Sequence, residues 1–600
     1  MKCYNGKLLR VNLTDGTIAT EPLNEDLARK YIGGRGLGTK MLLDEIDPQV
    51  DPLSPENKML VMTGPLTGAN VSTGNRYMVV TKSPLNNMIA SSNSGGHFGA
   101  WLKFAGYDGI IFEGKAPSPV YLDIHDDTVE LKDASELWGK TSEETVAALN
   151  GTDKNASVLN IGPAGEKLKL LAAIMNDTDR AAGRTGVGAV MGSKNLKAIR
   201  VETENRKIGV EDEDAFHEAS VASTQKLKED GVTGEGLPAY GTAVLVNIIN
   251  GVGSLPTKNW QLSEDGEAET YSGETMADNQ LVRNGFCYHC TIGCGRVVKM
   301  GDKTIGGPEY EPLWAFGASC NVHDLDAIIE ANYWCNELGL DAIGAASTVA
   351  AAMELFQKGF IPEADLEGGP ALEFGSGEAI VEWIKHMGRA DNTLGALMAQ
   401  GSWRLCDHYG HPELSMSVKK QEMPAYDGRG IQGIGLNYAT SNRGGCHVRG
   451  YTISPEVLAH PVLVDRTTTE GKAELVKTFQ DLTAVIDSLG MCLFSSFALG
   501  APDYAALYGA AIGEPVTDDD VMTCGERIYN IERQFNKLAG MKPEDDELPK
   551  RLLDEPIGAE NEASAGMVSH LDVMLPEYYA VRGWVEAFPT EETLARLEIV

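Results

Sequence analysis

The sequence predicts an α+β chain, with a β-rich N-terminal domain followed by mainly helical ones. Three observations carry this. Short β-branched runs between Gly-, Pro- and Asn-rich turns crowd residues 1–208. Beyond about Ile208 the apolar residues adopt a helical period. A chain of 600 residues with 42% hydrophobic content exceeds one core, so three to four domains of about 150–200 residues are expected. Boundaries near 208 and 415 divide it into 1–208, 209–415 and 416–600.

In chain order, the N-terminus Met1-Lys2-Cys3-Tyr4-Asn5-Gly6 leads into strand-like alternation without the apolar stretch of a secretory signal. Tyr77–Val80, Gly109–Glu113 and Val120–Ile124 read as strands. Gly33–Gly38, Asn93–Gly96 and Gly183–Gly188 read as Gly-rich loops. The longest uncharged stretch, Ser83–Leu102, is too rich in Asn, Ser and Gly for a membrane span. Asp324 reads as the N-cap of a helix carrying Leu325, Ile328, Ile329, Cys335 and Leu338. A later helix carries Leu475, Phe479, Leu482, Ile486 and Leu489. The two helices end alike, as Asn336-Glu337-Leu338-Gly339-Leu340-Asp341 and Asp487-Ser488-Leu489-Gly490-Met491-Cys492, 151 positions apart. Each offers a polar acceptor in its last turn and a Gly suited to the left-handed C′ position. The acidic segment Glu544–Glu547 reads as a solvated loop.

Charge and cysteine usage narrow the function. A formal charge of −35 argues against nucleic acid and anionic membrane surfaces as partners. Ten cysteines are too sparse for a disulfide scaffold, and an intracellular, cytoplasmic setting is expected. Three of them form Cys287-x2-Cys290-x3-Cys294, close enough to address one centre. Cys492, Cys446, Cys320 or His289 could supply a fourth ligand. Four thiolates suit a [4Fe–4S] cluster, and three with a His suit a closed zinc site; spacing alone leaves both open, beside the reading of unliganded buried thiols.

The Gly186-x-Gly188-x-x-x-Gly192 run is a poor dinucleotide fingerprint, because Asn176–Arg180 before it does not read as a buried strand. Its glycines serve turns or let backbone N–H groups cradle an anion, with Arg76 and Arg184 as charge partners. Glu311 precedes Trp314 and Phe316, an apolar setting that raises a carboxyl pKa, although such a Glu is usually a solvated loop residue. His447 lies between Arg443 and Arg449, and positive neighbours favour neutral imidazole.

Taken together, Gly33–Gly38, Gly64-Pro65-Leu66-Thr67-Gly68, Asn93–Gly96, Gly188–Lys197, the cysteine trio, the paired helix ends, Pro424-Ala425-Tyr426-Asp427 and Ala439–Gly444 resemble the aldehyde:ferredoxin oxidoreductase family of tungsten-pterin enzymes. The resemblance spans nearly the whole chain. It implies a β-rich base for a tungsten (or molybdenum) bis-pterin, followed by two helical domains. Cys287, Cys290, Cys294 and Cys492 would hold one [4Fe–4S] cluster, with Arg76 between cluster and pterin. The helix ends, through Asn336, Gly339, Leu340, Asp341 and through Asp487, Gly490, Met491, Leu493, would each bind a pterin. Carbonyls of Asn93 and Thr185 would hold a Mg²⁺ bridging pterin phosphates. Gly95, Gly96, Arg184, Gly186, Arg443, Gly444 and Arg449 would lie near the cofactor. Asn336 stands where the family pattern expects Asp, and Gly428 where it expects Pro.

The implied reaction interconverts aldehydes and carboxylic acids. Glu311 would move the proton, His447 would donate to the carbonyl oxygen, and Tyr426 would orient the substrate. Electrons would pass to ferredoxin or a dedicated iron–sulfur subunit, and a homo- or hetero-oligomer is compatible with the pattern. Because ferredoxins are typically acidic, this acidic chain needs a local basic patch or a permanently docked subunit. Two rivals remain: the catalytic subunit of a benzoyl-CoA type aromatic-ring reductase, and a non-catalytic protein clipped by zinc.

Overall fold

The computed structural model describes residues 1–150 and 152–599. Its first third is built twice over. Strands β1 (Lys7–Asn12), β2 (Thr17–Pro22), β3 (Met59–Thr63), β4 (Tyr77–Lys82), β5 (Ile89–Ser94) and β6 (Gly109–Glu113) form one six-stranded sheet, ordered β2-β1-β6-β3-β4-β5. Strands β7 (Val120–His125), β8 (Thr128–Asp133), β9 (Ala156–Asn160), β10 (Ile174–Asn176), β11 (Arg180–Ala182) and β12 (Leu196–Glu202) form the second, ordered β11-β10-β9-β12-β7-β8. Each strand of the first sheet thus corresponds to the strand six later. In both, one pair is parallel, β1 with β6 and β12 with β7, and the rest are antiparallel.

Period-two alternation distributes the side chains. Met59 and Val61 join a core shared with Leu159, Ile161 and Ile199 of the second sheet, so the two sheets bury one face against each other. Leu60 and Met62 face the opposite way, into a core that includes Val485, Leu489 and Ile528. The C-terminal helices therefore close the outer face of the first sheet. The largest core gathers the helical remainder around Trp260, Trp314 and Trp383. Among the described residues, no helix is long and apolar enough to cross a membrane.

Three sequence expectations change here. Gly33–Gly38 is not a loop: Gly34–Glu45 is a helix. Its glycines permit close packing, since a Cβ on Gly34 would lie 2.5 Å from the Asp487 carbonyl oxygen and one on Gly38 2.8 Å from Val80 Cγ2. Second, Asn176–Arg180 is, as expected, not a buried strand but the turn of a hairpin between β10 and β11; what changes is the role of the glycines that follow. Gly186 caps the short helix Val187–Ser193. Gly188 and Gly192 lie inside that helix, against the backbone of Ala173 and Gly165, where no side chain fits. Third, Asp546 in the acidic segment is buried, 2.8 Å from Lys419 Nζ and 3.0 Å from Arg533 Nη1.

Candidate active site

Two helix ends frame the site. Helix Leu325–Leu338, capped by Asp324, stops at Gly339 with φ 71°, and helix Lys472–Leu489 stops at Gly490 with φ 81°. Both are left-handed C′ glycines. Each end rests on a Gly-Pro turn at the same place in its sheet: Gly64-Pro65 after β3 and Gly162-Pro163 after β9. A Cβ on Gly64 would overlap the backbone of Leu489 and Gly490, and one on Gly162 that of Leu338 and Gly339. The last carbonyls of a helix lack intrahelical partners. Here Leu489 O accepts from Leu66 N–H (3.0 Å), Gly490 O from Arg76 N–H (2.9 Å) and Gly339 O from Ala173 N–H (2.9 Å). The sheets' duplication thus extends to the two helix ends.

Between them lies a cavity of about 330 Å³. Its wall includes Arg76, Asn93 and Gly95 from the first sheet, and Arg184 beyond β11. Asn336, Leu340 and Asp341 come from one helix end, and Asp487, Cys492 and Leu493 from the other. Glu311, Tyr426, Arg443 and His447 close the remaining side. Gly96, Thr185, Gly186, Gly339, Gly444, Arg449, Gly490 and Met491 stand behind the lining. Thr185 O accepts from Ser83 Oγ at 2.8 Å, Gly96 packs on the Asn176 amide, Gly444 lies over Gln421 Cβ, and Met491 is core.

Neither Asp of the helix ends is idle. Asp341 accepts Ile343 N–H at 3.1 Å as N-cap of helix Ala342–Gln357, and its other oxygen pairs with Arg184 Nε at 3.0 Å. Asp487 takes Arg449, Arg35 Nη1 (3.3 Å) and Asn93 Nδ2 (3.2 Å). Arg35 is itself bidentate to Glu532, at 2.6 and 2.7 Å.

The cysteines gather beside this cavity, all of them free. Cys287, Cys294 and Cys492 are 8%, 8% and 5% exposed, and Cys290 is half-buried. Cys492 Sγ accepts from Arg76 Nη2 at 2.9 Å, and a Cβ on Gly95 would lie 2.8 Å from Cys287 Sγ and 3.1 Å from Arg76 Cζ. Arg76 therefore touches the sulfur of the distant Cys492 and lies near that of the trio's first member. Burial pushes the Cys290 thiol up to about 11, and Cys492 and Cys287 push the same way. A cationic centre would relieve this, and four soft donors suit iron–sulfur chemistry. Among the described residues, no three His, Cys, Asp or Glu side chains converge tightly enough for a single ion, and this holds for the trio with Cys492 as for the trio with His289. The other candidate fourth ligands are engaged elsewhere. Cys446 Sγ accepts from Arg443 Nε (3.2 Å) and Nη2 (3.0 Å), and Cys320 Sγ lies against Ala346 O.

Glu311 belongs to the first turn of helix Tyr310–Phe316, which Tyr310 pins through Thr242 Oγ1 (2.9 Å) and Ala425 O (2.8 Å). Glu311 is not a solvated loop residue; its side chain is 12% exposed. Oε2 accepts from Ala425 N–H at 3.1 Å, whereas Oε1 has no hydrogen-bond partner and sits 3.5 Å from His447 Nε2. Burial raises the carboxyl pKa to about 8, against the opposing Ala425 N–H and Arg184. Burial first, then Arg184 and Arg443, hold His447 well below the usual imidazole range. At neutral pH the pair is a neutral imidazole beside a largely protonated carboxyl. Tyr426 OH is 2.8 Å from Tyr451 OH, and its ring centroid 5.8 Å from that of His447.

Sequence reasoning missed Arg180, which lines the cavity and pairs with Glu309; burial pulls its pKa down, and Cys287, Glu309 and Cys294 together push it above the ordinary value. It also missed Gly162-Pro163. The signal was available: Met62-Thr63-Gly64-Pro65 and Asn160-Ile161-Gly162-Pro163 each follow a β-run.

A family model described as the aldehyde ferredoxin oxidoreductase N-terminal domain matches residues 8–203, and one described as domains 2 and 3 of aldehyde ferredoxin oxidoreductase matches residues 218–599. The tungsten-containing aldehyde ferredoxin oxidoreductase of Pyrococcus furiosus is 51% identical over 589 residues, covering 97% of this chain and 96% of the relative. That of Pyrococcus abyssi is 51% identical over 592 residues with the same coverage. Among solved structures, the active site complex BamBC of benzoyl coenzyme A reductase, in complex with 1,5-dienoyl-CoA, matches with a TM-score of 0.86 at 25% identity, covering 100% of this chain and 97% of that one.

Proposed function

Since the chain belongs to the aldehyde ferredoxin oxidoreductase family, we propose that it oxidises aldehydes to carboxylic acids, with an iron–sulfur protein as electron acceptor. Aldehyde plus water yields acid, two protons and two electrons. When bound, a tungsten bis-pterin supplies the two-electron chemistry and a [4Fe–4S] cluster passes electrons on singly. Cys287, Cys290, Cys294 and Cys492 would hold the cluster. The two helix ends with Arg76 and Arg184 would hold the pterins, and the Asn93 and Thr185 carbonyls a Mg²⁺ between their phosphates.

The observation that carries the reading is the Glu311–His447 pair on one wall of the cavity between the helix ends. Neutral His447 donates a hydrogen bond to the aldehyde oxygen as negative charge develops there. Ionised Glu311, whose Oε1 has no hydrogen-bond partner and lies 3.5 Å from His447 Nε2, takes the proton from attacking water. Tyr426, tied to Tyr451, holds the substrate against that pair.

Because Glu311 must be ionised to accept a proton, kcat/KM with an aldehyde and benzyl viologen rises with pH and levels above about 8. A flat profile between about pH 6 and 9 removes Glu311 as the base. Cys492→Ala is expected to abolish bound iron while Cys446→Ala retains it, measured by elemental analysis of anaerobically purified protein. Equal iron in both removes Cys492 from the cluster. Inactivity of the tungsten-loaded protein with a whole aldehyde panel would turn the reading toward ring reduction.

A further inference from the structure

Electrons that reach the four thiols must leave the protein, and the burial of those thiols is uneven. Cys287, Cys294 and Cys492 are buried, and only Cys290 is half-buried. The surface next to Cys290 is therefore the short way out.

That surface has an unusual composition. β13 (Leu281–Gly285) is an edge strand of the three-stranded sheet β13-β14-β15, with β14 (Gly295–Met300) and β15 (Lys303–Gly306). It leads directly into the cysteine loop. Val282 is 47% exposed and Phe286 55% exposed. The Phe286 ring lies over Gly293, whose missing Cβ would overlap it, so the ring is held at the loop's surface. Arg283, His289 and Thr291 are exposed in the same stretch of chain. Arg206, 4.5 Å over the Trp101 ring, flanks Tyr288 of the same loop.

Charge sets this face apart. The chain carries 86 acidic residues and a net charge of −35. Yet no Asp or Glu occurs from Leu281 to Met300, or from Asn57 to Tyr107. These two segments meet at the cysteine loop: Thr73 N–H donates to His289 O (3.3 Å), Asn75 Nδ2 to Tyr288 O (2.9 Å), and Ser72 Oγ lies 2.8 Å from Thr291 Oγ1. An exposed apolar pair in a carboxylate-free stretch, with Arg283 on the same strand and Arg206 beside Tyr288, on a strongly acidic protein, complements an acidic partner.

We propose that the face formed by Val282, Arg283, Phe286, His289 and Thr291 is the docking surface for an acidic iron–sulfur electron carrier, placed so that the carrier approaches Cys290. The proposal rests on the redox function proposed above. Phe286 and Val282 supply the apolar contact, while Arg283 and Arg206 steer encounter and impose a salt dependence.

The test compares two acceptors on the metal-loaded enzyme: benzyl viologen, a small dye that needs no docking face, and a purified acidic 2[4Fe–4S] ferredoxin. Phe286→Asp is expected to lower kcat/KM for ferredoxin at least tenfold, with viologen activity within twofold and iron content unchanged. Arg283→Glu, which touches neither Gly293 nor a thiol, is expected to lower it at least threefold and to flatten its salt dependence. Unchanged ferredoxin kinetics in both variants, with viologen activity intact, overturns the docking surface. So does a shift in oligomeric state without a change in ferredoxin kinetics, which would assign the face to a second copy. A metal-loaded wild-type enzyme that fails to reduce viologen with every aldehyde offered overturns the aldehyde-oxidation reading, and this surface as its electron exit with it.

Discussion

Replacing Glu311 by Gln lowers aldehyde turnover by about 10²–10⁴-fold, the range for loss of a positioned general base, with tungsten and iron contents unchanged. The amide is nearly isosteric, and its oxygen still accepts from Ala425 N–H, so the helix Tyr310–Phe316 keeps its place. What disappears is the oxygen that faces His447 and can take a proton. A second readout separates chemistry from structure. The folded carboxyl has its pKa raised from 4.5 to about 8. Above pH 4.5 the folded state therefore binds that proton more tightly than the unfolded one. The group's contribution to stability is complete below about 4.5 and is lost as pH rises through about 8. Wild type is expected to lose stability across that window more steeply than Glu311→Gln, measured on protein without cofactor. Full turnover in the variant would remove Glu311 from the mechanism; parallel stability curves would remove its perturbed titration.

The parts of this architecture that were legible beforehand are those written in local chemistry. Asp324 caps its helix through the N–H groups of Asp326 and Ala327, and Gly339 and Gly490 take left-handed φ, as a cap residue and a C′ glycine should. The runs at Tyr77, Gly109 and Val120 are strands because β-branched and aromatic residues fill a pleated surface. Parts that depend on what packs opposite were not legible. Gly34, Gly36 and Gly38 look like a flexible loop until Asp487, Ile528 and Val80 are brought against them. Asp546 looks solvated until Lys419 and Arg533 arrive from more than ten residues away on other segments. Glu311 looks like a surface residue because its sequence neighbours do not reveal that Ala425 and His447 will enclose it. The duplication of the sheets was hidden for another reason. Topology is preserved by the order of strand pairing, whereas the residues facing each core can drift as long as apolar volume is kept.

That duplication carries the second large expectation. Gly64→Ala and Gly162→Ala each place one methyl group against backbone that cannot move aside without shifting a helix end. Overpacking usually costs about 1–3 kcal/mol, and rigid backbone on both sides sets the cost at about 3 or more here. The control is Gly266→Ala, where a Cβ meets nothing within 4 Å and φ is not left-handed. The two variants are expected to share lowered thermal stability but to differ in what they lose. Gly64 presses on Leu489 and Gly490, two residues before Cys492. A displaced helix end there carries the thiol away from Arg76 and the trio, so iron falls together with stability. Gly162 presses on Leu338 and Gly339, which lead to Asp341 and Arg184 rather than to any of the four thiols. Its variant is expected to keep iron and lose pterin. Thermal inactivation with parallel iron, tungsten and pterin analysis distinguishes them. Identical losses in both would mean the cavity responds as one unit, and wild-type behaviour in both would mean the helix ends do not bear on the Gly-Pro turns. The divergent result would establish that each copy of the repeated sheet positions one helix end, with the cluster thiol fastened to only one of them.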